Sequence, residues 1–211
     1  MPFPNRLSNT RSDLAVVFLV LLVTTGCTEE PPTVGRPRTD LYWERASQQL
    51  EPEMTVEEVA LALARWVATH GTNDHRAKGA DGLPFFGLCG LRSTVYENLA
   101  ERAGLNVQRF AMDGFNDSGH TAVHVAWDGA WHYLDVTYAG YFRVDGRILS
   151  FDEIQEDPSS ALEGMVVIEG TLDRWPDGRP VDNHDRMRLN YTYENILAAE
   201  VVLRPNDRGA S

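Results

Sequence analysis

Apolar positions in this chain change their spacing several times, and each change marks an element. Leu14 to Val23 is ten apolar residues without a break. From Thr55 onward, Val59, Leu63, Trp66 and Val67 recur at helical spacing. Thr55 and Glu58 form the S/T-x-x-E pattern of a capping box, and Gly71 is placed to stop the helix. Asp40 to Leu50 predicts a shorter helix before it. Leu88, Leu91, Val95 and Leu99 give a second long helix over Cys89 to Arg102, with one buried stripe and Gly104 as its stop. Between these helices, Gly71 to Leu88 is glycine- and proline-punctuated loop, in which Phe85 and Phe86 pin the segment to the core or line a cleft.

The spacing then shortens to two. Leu105 to Met112 predicts a strand and Asp113 to Gly119 a loop. His120 to Tyr138 predicts a hairpin around Asp128-Gly129, a favoured two-residue turn. With that turn, Ala122 faces Asp135 and Val123 faces Leu134. Alternation puts Thr121, Val123, Val125, Leu134 and Val136 on one face. The other face carries His120, Ala122, His124, Trp131, Tyr133 and Asp135. A second hairpin is expected over Tyr141 to Ser150 about Asp145-Gly146. A capping box at Ser150 and Glu153 starts a short helix, Phe151 to Gln155, and Asp157 to Ser160 marks a break. Met165 to Glu169 predicts a strand, Leu172 to Asp185 a loop, and Tyr191 to Leu203 a terminal strand region.

Two of these elements bring chemistry together. Cys89 falls in the first turn of its helix, where free N–H groups and the helix dipole favour a thiolate. Its backbone N–H is a candidate oxyanion donor, and Gly87 and Gly90 leave room for a substrate carbonyl. The bland alternative is an inert buried cysteine. Asp135 lies diagonal to both His120 and His124, so hairpin geometry offers the carboxylate two histidine partners without choosing between them. Those three side chains also read as two histidines and a carboxylate for a metal. That reading leaves Cys89 unexplained, and no metal or cofactor is expected. Trp131, Tyr133 and His124 are expected as pocket wall, and His70, His75 and His184 as surface or helix-end residues.

Composition narrows the partners. The 211 residues carry a net charge of −12 with 43% apolar and 24% charged residues, as in an ordinary globular domain. No Lys/Arg-rich run offers a nucleic-acid surface. The two cysteines, Cys27 and Cys89, sit in unlike surroundings. Arg6 and Arg11, the apolar run and the small residues Thr24 to Gly26 describe a secretory signal. Its end resembles a bacterial lipoprotein signal, with Gly26 before Cys27 and Thr24 where Leu is usual. That resemblance implies a lipid on Cys27. Thr28, not Asp, follows it, which points to the outer membrane in a Gram-negative cell. Residues 1–26 are then signal, 27–39 a Pro- and Thr-rich tether, 40–205 the domain and 206–211 a tail.

From Thr55 to Phe142 the chain resembles the transglutaminase-like superfamily, most specifically between Gly87 and Asp135. The shared features are a cysteine at a helix start, a helix ending in Ala103-Gly104-Leu105, a strand, and then a histidine. The family's tryptophan and aspartate follow that histidine by eleven and fifteen residues, as Trp131 and Asp135 follow His120. The resemblance therefore selects His120, and it implies Cys89 as nucleophile, His120 as base and Asp135 as its orienting partner. It implies an α+β, papain-like fold in which the helix bearing the Cys packs on an antiparallel sheet bearing His and Asp. Ala122 replaces the family's usual aromatic, and no Gln precedes Cys89 as a second oxyanion donor. The expected activity is thiol-mediated acyl transfer or amide hydrolysis on a peptide, protein or envelope polymer outside the cytoplasm. A non-enzymatic binding module for envelope assembly is the alternative.

Overall fold

A computed structural model describes residues 39–74, 85–168, 171–175 and 177–204. The signal and most of the tether, Cys27, His75 and the tail lie outside the described residues. Helix α1 (Thr39–Ala46) leads through a 3-10 turn into α2 (Val56–His70), which starts on the complete Thr55/Glu58 capping box. Gly71 ends α2, but by extended backbone and not by a left-handed turn. A Cβ there would lie 2.8 Å from the Val67 carbonyl oxygen and 3.1 Å from Arg92 Nε, so close approach is what requires glycine. Two short parallel strands follow, β1 (Gly71–Thr72) and β2 (Phe85–Phe86).

Helix α3 spans Cys89–Arg102, as the spacing predicts, and Gly104 at φ +80° lets the chain leave it. The expected single stripe is too narrow. Arg92, Ser93, Tyr96 and Glu97 are buried beside Val95 and Leu99, while Leu88 is exposed. The helix is enclosed on several sides, so polar residues must be buried and paired there. Strands β3 (Asn106–Asp113), β4 (His120–Trp127) and β5 (Ala130–Leu134) form an antiparallel meander. His124 pairs with Tyr133 and Val123 with Leu134, the register that the Asp-Gly turn predicts. Asp128 and Gly129 both take positive φ, as a type I′ turn demands.

The second hairpin is β6 (Gly140–Val144) with β7 (Arg147–Ile148), followed by α4 (Phe151–Glu156) on the Ser150/Glu153 box. The expected break at Asp157 is a helix restart. Asp157 caps the Ser160 N–H, and Pro158 opens α5 (Pro158–Glu163), where its missing N–H costs nothing. Strand β8 (Met165–Val167) pairs with β6. Helix α6 (Asn183–Asn190) occupies the end of the expected loop, and α7 (Tyr193–Ala198) replaces most of the expected terminal strand. Only β9 (Glu200–Leu203) is extended, and it pairs with β3 to complete a sheet of order β5-β4-β3-β9.

This sheet has a core on each face. Val107, Val123, Val125 and Leu134 pack with α2 and α3. Phe110, Met112, Ala122 and Tyr133 pack with Phe151, Ile154, Met187, Tyr191 and Ile196 from α4 to α7 and the α6–α7 corner. The chain is therefore α+β, with the cysteine helix packed against an antiparallel sheet that presents the histidine. No helix of the described residues is long and apolar enough to cross a membrane.

Candidate active site

Three elements converge where α3 begins. Leu88 caps the helix in extended conformation with no side-chain hydrogen bond, leaving Cys89 among the unpaired N–H groups of the first turn. Ser93, one turn on, ties α3 to β4 by donating from Oγ to the Thr121 carbonyl at 3.1 Å. His120 opens β4 and is 6% exposed. Asp135 follows β5 directly and closes a turn with Gly140, each N–H donating to the other's carbonyl at 2.8 and 2.9 Å.

Asp135 and His120 are joined by Nε2 and Oδ2 at 2.8 Å. The other carboxylate oxygen, Oδ1, accepts the backbone N–H groups of Thr137 and Tyr138 at 2.8 and 2.9 Å. Oδ2 also accepts from the Tyr191 hydroxyl, which is hydrogen-bonded to the Tyr133 hydroxyl. Burial alone would raise the pKa of Asp135, but His120, Tyr191 and the Tyr138 N–H outweigh it and hold the carboxyl below its ordinary range. Burial lowers that of His120, yet the charge and hydrogen bond of Asp135, then those of Cys89, raise it to about 9. Burial pushes the Cys89 thiol up, while the hydrogen bond and charge of His120 and the Thr121 N–H bring it below its ordinary value. The arrangement thus shifts the thiol toward the thiolate and the imidazole toward the imidazolium.

Two solved structures resemble parts of the chain. One is a candidate cysteine protease from Cytophaga hutchinsonii, at 14% identity and TM-score 0.37, covering 47% of this chain and 37% of that one. The other is a TGase, at 14% identity and TM-score 0.35, covering 75% of this chain and 47% of that one. The chain spans less than half the length of either. No family model and no curated protein matches it. Likeness this partial assigns no chemistry.

His124 lies two repeats of the pleat from His120, on the same face, but has another partner. Its Nε2 accepts the Phe151 N–H at 3.2 Å, at the start of α4. Burial there lowers its pKa to about 4. His120, His124 and Asp135 therefore do not converge, and no group of three metal-ligating side chains occurs among the described residues. The expected pocket wall also dissolves. Tyr133 is 0% and His124 8% exposed, because α4 to α7 cover that face, and Trp131 lies at the surface. Of the two glycines expected to admit a substrate, Gly90 has open space beside it, but a Cβ on Gly87 would meet Leu91 at 2.7 Å. Gly87 serves packing. His70 is buried and stacked on Trp66 with centroids 4.3 Å apart, and its Nδ1–H reaches the Trp66 carbonyl at 2.8 Å. His184 is half-buried in α6. Phe85 packs against Tyr42 and Trp66, while Phe86 remains exposed.

Several supporting residues carry no sequence signal. Tyr138 stacks on the His120 ring at 4.8 Å and 10°, with the Arg186 guanidinium 5.1 Å from the centre of the Tyr138 ring. Buried Arg92, one turn after Cys89, donates to the carbonyls of Gly87 and Thr137 at 3.0 Å each and pairs with Asp173, which also holds Arg186. Arg92 thereby fixes the backbone ahead of the thiol to the backbone after Asp135.

Proposed function

We propose that the chain is a cysteine-dependent enzyme acting on an amide or other acyl carbon, with Cys89 as nucleophile, His120 as proton carrier and Asp135 as its orienting partner. The observation that carries this reading is the linked array of a lowered thiol, a raised imidazole and a carboxylate 2.8 Å from that imidazole. The Cys89 thiolate attacks the carbonyl carbon, and the former double-bond electrons move to oxygen. The Cys89 N–H, in the first turn of α3, receives that oxyanion. As the tetrahedral centre collapses, the C–N bond breaks and the leaving amine takes the His120 proton. A thioester remains. Water or a second amine then attacks it, giving its proton to His120 and releasing the thiolate, which yields hydrolysis or transamidation respectively. Asp135 stays ionised throughout and stabilises the imidazolium.

The transglutaminase-like spacing of Cys89, His120, Trp131 and Asp135 supports a peptide, protein or envelope polymer as substrate. The Gly26-Cys27 sequence supports a lipid on Cys27 that anchors the domain to a membrane outside the cytoplasm, about 0.8 kcal/mol being gained per buried CH2.

Alkylation of Cys89 by iodoacetamide across pH tests the array. Rapid modification near neutral pH, slowed by His120→Ala, is expected; an unreactive Cys89 in folded protein would sink the enzyme reading in favour of a binding module. Release of ammonia from glutamine peptides and from cell-wall fragments, absent in Cys89→Ala, separates the substrate classes. Palmitate labelling lost in Cys27→Ser tests the anchor.

A further inference from the structure

The last quarter of the chain reaches into the array at one point. Tyr191 sits at the corner between α6 and α7, where its N–H closes α6 on the Met187 carbonyl at 2.8 Å and the next residue, Thr192, caps α7. Two helices therefore hold its backbone. Its side chain is 2% exposed, and its hydroxyl meets Asp135 Oδ2, the oxygen that also holds His120. Its ring meets Tyr138 edge-on at 5.9 Å, and Tyr138 in turn lies flat on His120.

We propose that Tyr191 is a positioning residue of the site, acting through Asp135 to set the direction and strength of the carboxylate's hold on His120. The inference rests on the proposed function, since it concerns the same array. An ionised carboxylate only accepts hydrogen bonds, so the phenol must be the donor. Burial and the negative charge of Asp135 push the Tyr191 phenol well above its ordinary value, so it remains neutral and donating wherever the enzyme works. Asp135 then has four donors in fixed directions, two backbone N–H groups on Oδ1 and His120 with Tyr191 on Oδ2. Tyr133 completes the chain by donating to Tyr191 oxygen, and is itself 3.5 Å from Oδ2. A donor on Oδ2 draws charge away from the side facing His120. Without it, that oxygen pulls harder on the imidazole proton, so the pH at which His120 loses its charge rises.

NMR titration of the His120 ring in the full chain carrying Cys89→Ala, which removes the thiol's own titration, tests this. Tyr191→Phe deletes the donor and keeps the ring. The His120 midpoint is expected to rise by roughly 0.5 to 1 unit, the worth of one neutral hydrogen bond. In the Asp135→Asn background the same substitution should move it by less than about 0.2 unit, because its path is gone. An unmoved midpoint, or equal shifts in both backgrounds, overturns the proposal. Should Tyr191→Phe fail to fold, Tyr133→Phe keeps the Tyr191–Asp135 bond and weakens its donor chain, with a smaller rise expected and no rise overturning it. The titration is read whether or not Cys89 acts on any substrate, so failure of the enzyme reading and failure of the Tyr191 role are told apart.

Discussion

His120 and His124 share a strand, a face and nearly the same burial, at 6% and 8% exposure, yet their chemistry diverges. Burial alone acts on both in the same direction, against the charged ring. What separates them is the neighbour supplied by the rest of the fold. His120 meets a carboxylate and a thiol and is raised to about 9. His124 meets the N–H at the start of α4, a donor that only a neutral ring nitrogen accepts, and falls to about 4. One strand thus carries a carboxylate-paired ring at its first residue and a neutral acceptor in its middle. Position along the strand matters because the middle faces the start of α4, while the first residue faces Asp135 and Cys89.

The strongest attempt to break this contrast exchanges the consequences of losing each ring. His120→Ala should slow Cys89-dependent turnover by about 10²- to 10⁴-fold, the usual worth of a positioned proton carrier. His124→Ala should leave the rate per folded molecule within about threefold, since it touches no reacting group, and comparable losses in the two variants would erase the distinction. Steady-state rates on whichever amide substrate the screen yields decide it.

Asp135→Asn removes the neighbour instead of the ring. Breaking a buried ion pair costs about 3–5 kcal/mol in comparable cases, so urea unfolding should show a large loss. With Cys89→Ala also in place, the His120 midpoint should fall below its ordinary value, because burial then acts unopposed and the ring behaves like His124. An Asp135→Asn chain whose His120 still titrates near 9 would mean that the carboxylate is not what distinguishes the two.

The pH dependence of stability sharpens the same contrast with opposite slopes. His120 is raised above its unfolded value, so its contribution is full below about pH 6.5 and is lost as pH rises through about 9. His124 is depressed, so the folded state binds fewer protons than the unfolded one, and stability is lost as pH falls from about 6.5 toward 4. Urea midpoints measured in Cys89→Ala should decline on both sides of about pH 6.5. His124→Gln should flatten the acid side only, and His120→Gln the alkaline side only.

The smallest effect concerns the roof itself. Ser150→Ala deletes the side-chain cap of α4, which presents the Phe151 N–H to His124, and should cost about 1 kcal/mol. Thermal melts should show this loss, with Cys89 alkylation at neutral pH unchanged.

Local rules carried much of the fold. The α3 bounds, both Asp-Gly turns, both capping boxes and the β4–β5 register all follow from residues within a few positions of one another. The chain's final quarter was legible only in pieces. Asp157-Pro158 looks like a break, yet the same Asp and Pro also suit a helix start, and only the surroundings select that outcome. Tyr191 to Ala198 has the apolar, β-favouring look of a strand, but Ile196 is used to cover the second core as part of a helix.

The site divides along the same line. The sequence by itself determined Cys89 at a helix start and His120 and Asp135 on one hairpin face, because helical and pleated periodicities act through covalent spacing. It left His120 and His124 equivalent until family spacing separated them. The tertiary structure alone decided that His124 turns to Phe151, that Tyr133 is core and not pocket wall, and that Arg92, Tyr138 and Tyr191 brace the array. Those pairings join residues tens of positions apart, Tyr191 standing 56 residues from Asp135. Periodicity carries no information at such separations; which donor meets the carboxylate is fixed by how the helices close over the sheet.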